Sequence, residues 1–285
     1  MLDIQHFYDD RTGTLSYVVA DKGTGKAAIL DAVLDYDAAG GRTSTHLADA
    51  LIDHARAQGL TVQWILETHA HADHLSAGAY LRDALGARLA IGEHICAVQE
   101  TWKGIYGIGE EFAPDGSQFD ELFADGDGFR LGDVEVRAMH TPGHTPACLT
   151  YLADGAAFVG DTMFMPDFGT ARCDFPGGDA AQLYRSIRRV LELAPETRLH
   201  MCHDYMPDGR PLAWSCTVAE QRRDNKHVRD GVSEAEFVAM RTERDKELDV
   251  PALLLPAVQV NIRAGNLPPP DRNGTRYLRI PVDTV

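Results

Sequence analysis

Four side chains that can bind a metal ion lie within six residues of this chain, in the run His69-Ala70-His71-Ala72-Asp73-His74. The β-branched, aromatic and aliphatic residues just before it, at 61–66, predict a buried strand. After it, apolar residues with helical spacing predict a helix; they are Leu75, Ala79, Tyr80, Ala84 and Leu85. A surface histidine tract would lack both elements and the interleaved aspartate. The pattern therefore predicts a metal site at the C-terminal edge of a strand in a layered α/β protein.

Three later polar residues also follow predicted strands, and they are candidates for the same site. His144 stands in Thr-Pro-Gly-His-Thr after a strand ending near Ala138, Asp161 follows the strand at 156–159, and His203 follows the strand at 199–202. Because metal sites collect ligands from several strand ends, we expect these side chains to converge on the first cluster. His140 lies four residues before His144, on the path from the strand into the turn, and His200 lies before its strand end, so we interpret both as structural histidines.

The bulk composition limits the class of protein. With 285 residues, 44% hydrophobic and 25% charged, the chain can build a large globular core. We expect one domain over 1–285, with a C-terminal helical segment and a proline-rich tail, about 217–285, packed on it. The absence of a long apolar run argues against a membrane helix. The net charge of −16 argues against binding to nucleic acid or anionic membranes.

Cysteine usage and the first residues bear on the compartment. The five cysteines are an odd number without a Cys-x-x-Cys pair, and residues 1–6 show neither a basic region nor an apolar stretch. Both observations lead us to expect a reducing cytoplasm.

Two parts of the chain have less regular patterns. Residues 100–128, rich in Gly, Asp and Glu, predict a surface excursion near the site, although they include Trp102, Tyr106 and Phe112. At the C-terminal end, Leu278, Ile280 and Val282 predict a packed segment after three consecutive prolines. Strands followed by helices in each half suggest a two-sheet sandwich with outer helices.

Taken together, the motifs resemble the metallo-β-lactamase superfamily, in the branch that holds glyoxalase II and the persulfide dioxygenases. The pattern His-x-His-x-Asp-His is followed by Thr-Pro-Gly-His-Thr, Gly-Asp-Thr and His-Asp-Tyr. Residues 169–175 resemble the Gly-x-x-Arg-x-Asp-Phe stretch of the persulfide dioxygenases, and residues 258–265 resemble their closing Asn-x-Arg-x-Gly motif. This resemblance implies an α/β fold of the αββα sandwich type, with two mixed sheets flanked by outer helices.

The ligand types leave two metal centres open. Seven ligands could hold two Zn(II) ions, with Asp161 bridging, and activate a water for hydrolysis of thioesters, lactones or β-lactams. Alternatively His69, His144 and Asp161 form the facial triad of one Fe(II) per chain. In that case His71, Asp73, His74 and His203 orient the ligands from outside. A non-catalytic binding module is disfavoured by the complete ligand set.

The resemblance favours the iron enzyme and implies its chemistry. A low-molecular-weight persulfide, such as glutathione persulfide, would be oxidised by O₂ to sulfite with release of the thiol. Arg172 is expected to supply a cation near the substrate, Asp174 to order the site, and Tyr205 to donate a hydrogen bond. Cys173 is expected to be a bystander. A homodimer is also implied by the resemblance.

The carrier thiol is a separate question. Glutathione-using members carry an arginine shortly after an asparagine in a C-terminal helix, where this chain reads Asn225-Lys226-His227. His227, Lys226, Arg222 and Arg223 are therefore the candidates for holding a carrier carboxylate, and a solvated helix face is the alternative interpretation of this basic cluster.

Overall fold

A computed structural model of the protein describes residues 1–284 and contains two large stacked sheets. The strands are β1 Leu2–Asp9, β2 Thr14–Asp21, β3 Lys26–Leu30, β4 Val33–Asp37, β5 Arg42–Ser44, β6 Thr61–Leu66, β7 Leu75–Ser76, β8 Arg88–Gly92, β9 Glu121–Phe123, β10 Gly128–Leu131, β11 Val134–His140, β12 Leu149–Ala153, β13 Ala156–Phe158, β14 Arg198–His200 and β15 Ser215–Thr217. The helices are α1 His46–Ala57, α2 Gly78–Leu85, α3 Ile95–Tyr106, α4 Ala180–Val190, α5 Val218–Asp224, α6 Glu234–Asp245 and α7 Leu254–Asn261.

Both large sheets are mixed, as predicted. The first has six strands in the order β1-β2-β3-β6-β8-β9, of which β3, β6, β8 and β9 run parallel. The second has six strands in the order β10-β11-β12-β13-β14-β15, and its one parallel pair is β13 with β14. A small sheet of β5, β4 and β7 lies beside them.

Two apolar layers hold the sandwich together. The inner layer fills the space between the sheets and contains Tyr17, Trp64, Tyr151 and Phe158. The outer layer lies between the first sheet and its helices and includes Leu51 of α1 and Val258 of α7. Because β2 is covered on both faces, all eight of its residues are buried. The predicted αββα architecture is confirmed.

The segment after the metal run differs from the prediction. Leu75 and Ser76 form β7, which pairs with β4, and α2 begins only at Gly78. The helical spacing included Leu75 because a buried residue just before a helix occupies the same face as the first turn. The intervening residues form a loop, so the ligands are presented by irregular backbone between two strands.

The surface excursion predicted for residues 100–128 is wrong. Residues 95–106 form α3, and Trp102, Tyr106 and Phe112 are buried in the outer apolar layer. Tyr106 also donates a hydrogen bond of 2.8 Å to the Leu255 carbonyl of α7. The segment is therefore part of the core rather than a loop over the site.

The C-terminal end is packed in part. Leu278 contacts the outer layer, whereas Ile280 and Val282 are 72% and 78% exposed. The prediction of a fully packed end is therefore wrong beyond Leu278. No helix of the described residues is long and apolar enough to cross a bilayer.

Candidate metal centre

Three of the predicted ligands form a compact group at the edge of the sandwich. The Nε2 atoms of His69 and His144 lie 3.8 and 3.6 Å from Oδ2 of Asp161. All three side chains are at least nine-tenths buried, and their ligand atoms lie within 4.8 Å of one another. They come from the loop after β6, the loop after β11 and the turn after β13, so three strand ends converge as predicted.

The turn that carries His144 depends on a glycine. Gly143 has a φ of +134°, and a Cβ there would lie 2.3 Å from the Leu183 backbone of α4. Only glycine allows this close approach of the turn to the helix. The Asp179 side chain caps α4 by accepting from the Gln182 amide, and the Asp179 amide donates to the Gly143 carbonyl. The Thr-Pro-Gly-His turn is thus held in place by the start of α4.

Of the remaining predicted ligands, Asp73, His74 and His203 form a group next to Asp161, whereas the His71 ring centroid lies 4.0 Å from that of His69 and 4.2 Å from that of His74. Nε2 of His203 is 3.4 Å from Oδ1 of Asp161 and 3.6 Å from Oδ2 of Asp73. Nδ1 of His74 lies 3.1 Å from the same Asp73 oxygen. The ring centroids of His74 and His203 are 6.3 Å apart. The two carboxylate oxygens of Asp161 therefore face different histidines.

Unpaired buried atoms show that this donor set fits a metal. Five buried ligand atoms have no hydrogen-bond partner within the described residues, namely Nε2 of His69, Nδ1 of His71, Nε2 of His74, Nε2 of His203 and Oδ1 of Asp161. Buried polar atoms without partners are costly, and so many in one place are not compatible with a purely structural cluster. Imidazole nitrogens and carboxylate oxygens suit zinc or iron.

The second ring nitrogen of each of three histidines is fixed by a neighbour. Nδ1 of His69 contacts the Thr68 hydroxyl at 3.0 Å, and Nε2 of His71 contacts Asp31 at 3.0 Å. Nδ1 of His144 donates to the Arg172 carbonyl at 2.8 Å. These contacts select the tautomer that directs the other nitrogen toward the centre.

Asp31 connects several of these groups. It is buried with a φ of +49°, an uncommon conformation for a non-glycine residue, and it accepts from the amide and hydroxyl of Thr68. Burial disfavours a charged His71, but Asp31 and Glu67 outweigh it and raise the pKa of His71 well above its usual range. Burial and, next, the charge of the neighbouring His71 lower the pKa of His69 well below its usual range.

A cavity of about 380 Å³ opens onto the compact group. His144, Asp161 and Asp73 line its inner end, and its walls carry Phe164, Phe168, Phe175 and Tyr205. Leu248, Pro251, Ala252 and Leu253 cover it; they belong to residues 246–253, which join α6 to α7 and which we call the cap segment. The volume is that of a small-molecule site.

Arg172, which lines the cavity, forms an ion pair with Asp174. Nε and Nη2 of Arg172 donate to the two Asp174 oxygens at 2.6 and 2.7 Å. Nη1 donates to the Asp249 carbonyl of the cap segment at 2.6 Å. The Asp174 hydrogen bond raises the pKa of Arg172, and the guanidinium lowers the pKa of Asp174 although burial opposes it. Arg172 therefore fastens the cap segment, a contact that its sequence context did not predict.

Tyr205 lies parallel to a predicted ligand at the cavity wall. Its ring is stacked on His203, with centroids 5.6 Å apart. Burial of the hydroxyl and the nearby carboxylates of Asp73 and Asp161 raise the pKa of Tyr205 well above its usual range. The phenol thus stays protonated and can donate a hydrogen bond.

The expected carrier candidates do not line the cavity. Arg222 pairs with Asp230 at 3.0 Å, and Arg223 pairs with Asp224 at 2.6 Å. His227 is buried behind Gly169, where its Nδ1 accepts from the Thr170 amide at 3.1 Å. Burial, with the charges of neighbouring basic residues, lowers the pKa of His227 to about 3, so it carries no charge. Lys226 covers the Phe168 ring. The geometry therefore does not favour direct binding of a carrier carboxylate by these four residues.

Other arginines occupy the cavity instead. Arg11, Arg241 and Arg244 line it together with Arg172. No sequence motif indicated these residues, because Arg241 and Arg244 lie in a charged helix and Arg11 in a short turn. Cys173, which we interpreted as a bystander, is buried, and this burial raises the pKa of its thiol.

The two histidines interpreted as structural lie outside the centre. Nε2 of His140 contacts the Pro146 carbonyl at 2.8 Å, and its ring stacks on His94. His200 is buried against Phe158, with ring centroids 4.9 Å apart.

The comparisons with known proteins define the family. Residues 9–203 match the model of the metallo-beta-lactamase superfamily, which is more than half of the chain. The chain therefore belongs to this superfamily and is one of its enzymes, with a metal-binding site built from the histidine and aspartate groups described above.

Curated relatives carry two kinds of name. A protein of Burkholderia pseudomallei named "Probable metallo-hydrolase" is 56% identical, with all of both chains covered. A "Beta-lactamase hydrolase-like protein" of Xylella fastidiosa is 51% identical; the match covers 99% of this chain and 65% of that relative's length. "Persulfide dioxygenase ETHE1, mitochondrial" of Bos taurus is 26% identical over 94% of this chain and 90% of the relative.

A solved structure agrees with the last of these. The crystal structure of ETHE1 from Myxococcus xanthus superposes with a TM-score of 0.73 at 28% identity, covering 93% of this chain and all of that one.

Proposed function

We propose that the protein is a mononuclear non-haem Fe(II) dioxygenase that oxidises a low-molecular-weight thiol persulfide. The observation that carries the proposal is the compact group of His69, His144 and Asp161, of which His144 and Asp161 line a cavity. Two histidines and one carboxylate with open positions are the ligand set of non-haem iron oxygenases. Equally compact groups join His71 with Asp73 and His74, and His71 with Cys202 and His203, but among residues 1–284 no such group joins His74 with His203.

The similarity to ETHE1 in sequence and in structure, over more than nine-tenths of this chain, supports the same activity. The proposed reaction is RSS⁻ + O₂ + H₂O → RS⁻ + SO₃²⁻ + 2 H⁺. The outer sulfur loses four electrons, O₂ gains four, and water supplies the third sulfite oxygen. When bound, the iron would supply the redox chemistry that lets O₂ react with the sulfur at neutral pH.

The residues of the chain would bind and orient the substrate. The phenylalanines at 164, 168 and 175 exclude water from the inner end of the cavity. Tyr205 would donate its hydroxyl hydrogen to the sulfur or oxygen of the substrate. Arg172, paired with Asp174, would keep the cap segment closed over the bound persulfide.

Metal retention in single variants tests the ligand assignment. Asp161→Ala should abolish iron binding, because it removes the only carboxylate of the compact group. His203→Ala should retain most of the iron, because His203 faces the outer oxygen of Asp161. His140→Ala, outside the centre, is the matched control and should bind iron normally. Equal metal loss in Asp161→Ala and His203→Ala would contradict the mononuclear assignment.

A dizinc hydrolase of thioesters, lactones or β-lactams is the second candidate. It is favoured by the two oxygens of Asp161, which face His144 and His203 at 3.6 and 3.4 Å as a bridging carboxylate would. The name of the Burkholderia pseudomallei relative also supports hydrolysis. This candidate expects two zinc ions per chain and no oxygen uptake with persulfides.

A further inference from the structure

The arginines of the cavity differ in how their charge is balanced. Arg11 pairs with Asp9 and Asp35, Arg172 with Asp174, and Arg241 with Asp245. Among the residues that the structure describes, Arg244 makes no ion pair and no side-chain hydrogen bond, although it lines the same cavity. It is thus the one cavity arginine with a free charge in the described part of the chain.

The hydrogen-bonding capacity of Arg172 is largely used within the protein. Its guanidinium donates to both Asp174 oxygens and to the carbonyls of Asp249 and Leu248. Arg241 is 1% exposed; its Nε donates to Asp245 and its Nη1 to the Thr170 carbonyl, while its Nη2 has no hydrogen-bond partner among the described residues but lies 2.6 Å from the Asp245 carboxylate in an ion pair. A ligand anion would gain little from either group without displacing these contacts.

The positive charge of Arg244 is felt by its neighbours. Burial and, next, the charge of Arg244 lower the pKa of Lys226, whose Nζ lies 5.3 Å from the Phe168 ring centroid. Phe168 is itself a wall of the cavity. Lys226 and Arg244 therefore place two positive charges near Phe168; Asp167 and Asp208 partly offset the charge at Lys226, and the chain as a whole has a net charge of −16. Such a pair of positive charges attracts anionic ligands.

We infer that Arg244 binds a carboxylate of the carrier thiol and so selects substrates whose far end is anionic. The inference rests on the proposed function for the sulfur end of the ligand, which would lie at His69, His144 and Asp161. The aromatic side chains that line the same cavity would contact the hydrocarbon part of the carrier. Arg244 takes this role from α6, because His227 is neutral and buried.

A matched pair of ligands tests the inference without relying on oxidation. The affinity of the iron-loaded full chain for glutathione and for glutathione diethyl ester is measured anaerobically by calorimetry. The wild type should bind glutathione about tenfold or more tightly than the ester, because a charge-assisted hydrogen bond is lost in the ester. In Arg244→Gln this preference should disappear through weaker glutathione binding, while ester binding stays unchanged. Arg244→Lys should restore part of the preference.

Arg185→Gln is the control, because Arg185 pairs with Glu234 on the protein surface near the start of α6. It should behave as the wild type. A preference for glutathione that survives in Arg244→Gln, or its absence in the wild type, would overturn the inference. Oxygen uptake with glutathione persulfide is measured separately. If the wild type consumes no oxygen but shows the Arg244-dependent preference, the dioxygenase proposal fails while the carboxylate site stands.

Discussion

Asn261 of α7 connects the C-terminal motif to the metal loop. Its Nδ2 donates to the carbonyls of His71 and His74, both at 2.8 Å, and its Oδ1 accepts from the Ser76 amide at 2.7 Å. Asn261 is 3% exposed, so these backbone groups have little access to water. One side chain therefore fixes the backbone of two residues in the loop that carries four predicted ligands and of one residue in β7.

Asn261→Ala should destabilise the protein strongly. It leaves three buried backbone groups without this partner, and each such group costs about 1–3 kcal/mol. A water that enters the space of the lost amide would satisfy some of them. We therefore expect the free energy of unfolding to fall by about 3–5 kcal/mol, a large fraction of the stability of an ordinary domain. Urea unfolding followed by circular dichroism measures this change.

The matched control is Asn266→Ala, which removes an exposed asparagine whose amide donates only to the Arg263 carbonyl. Its effect should stay within about 0.5 kcal/mol. Metal retention gives a second measurement, since Asn261→Ala should also weaken iron binding by loosening the loop that carries His69. A loss of stability below about 1 kcal/mol in Asn261→Ala would refute the role assigned to this side chain.

Two further predictions concern pH and the cap segment. Burial lowers the pKa of His200 from 6.5 to about 4, so only the unfolded state gains a proton between these values, and stability should fall as the pH drops below 6.5. His200→Phe should remove about 2 kcal/mol of this acid destabilisation at pH 5, measured against pH 7.5 by urea unfolding. His46→Phe, at an exposed site, is the control and should leave the pH dependence as it is. An unchanged pH dependence in His200→Phe would refute the argument. Asp174→Asn should release Arg172 and speed tryptic cleavage at Lys246 about fivefold, since such a partly exposed pair contributes about 1 kcal/mol. Asp224→Asn is the control, and equal cleavage rates in the two variants would show that the Arg172–Asp174 pair does not hold the cap segment.

The candidate ligands could be predicted from sequence because each one follows a strand within a few residues. In the fold, β6, β11 and β13 end where His69, His144 and Asp161 begin their loops. Local patterns carry such information, because strand periodicity and turn residues are properties of short segments. His203 also follows its strand by three residues, since β14 ends at His200, and an isolated bridge to Thr14 holds its backbone in place.

The features that could not be predicted from the sequence depend on contacts between distant segments. In the sequence, Arg244 has the pattern of a charged helix face. Only the packing of α6 against α4 and the closure of the cap segment place it in the cavity. Residues 100–128 read as a loop because glycine and acidic residues surround the aromatic ones. The shared burial of Trp102 and Val258 in the outer layer requires α7 from the far end of the chain.

The Asn-x-Arg-x-Gly motif likewise depends on a contact between segments that are far apart in the chain. Its similarity to a family pattern could be seen in the sequence, but its physical reason could not. Gly265 has a φ of +79°, and a Cβ there would lie 2.8 Å from the Ser76 carbonyl. Glycine is needed at this position of the motif because the backbone that follows α7 passes directly against Ser76, next to the metal loop.

Metal content and oxygen stoichiometry, measured on the same purified sample, test the central claim most directly. The protein should hold one iron per chain and consume one O₂ for each sulfite formed from glutathione persulfide. Two zinc ions per chain, no oxygen uptake and rapid hydrolysis of a thioester would contradict the dioxygenase and establish the hydrolase.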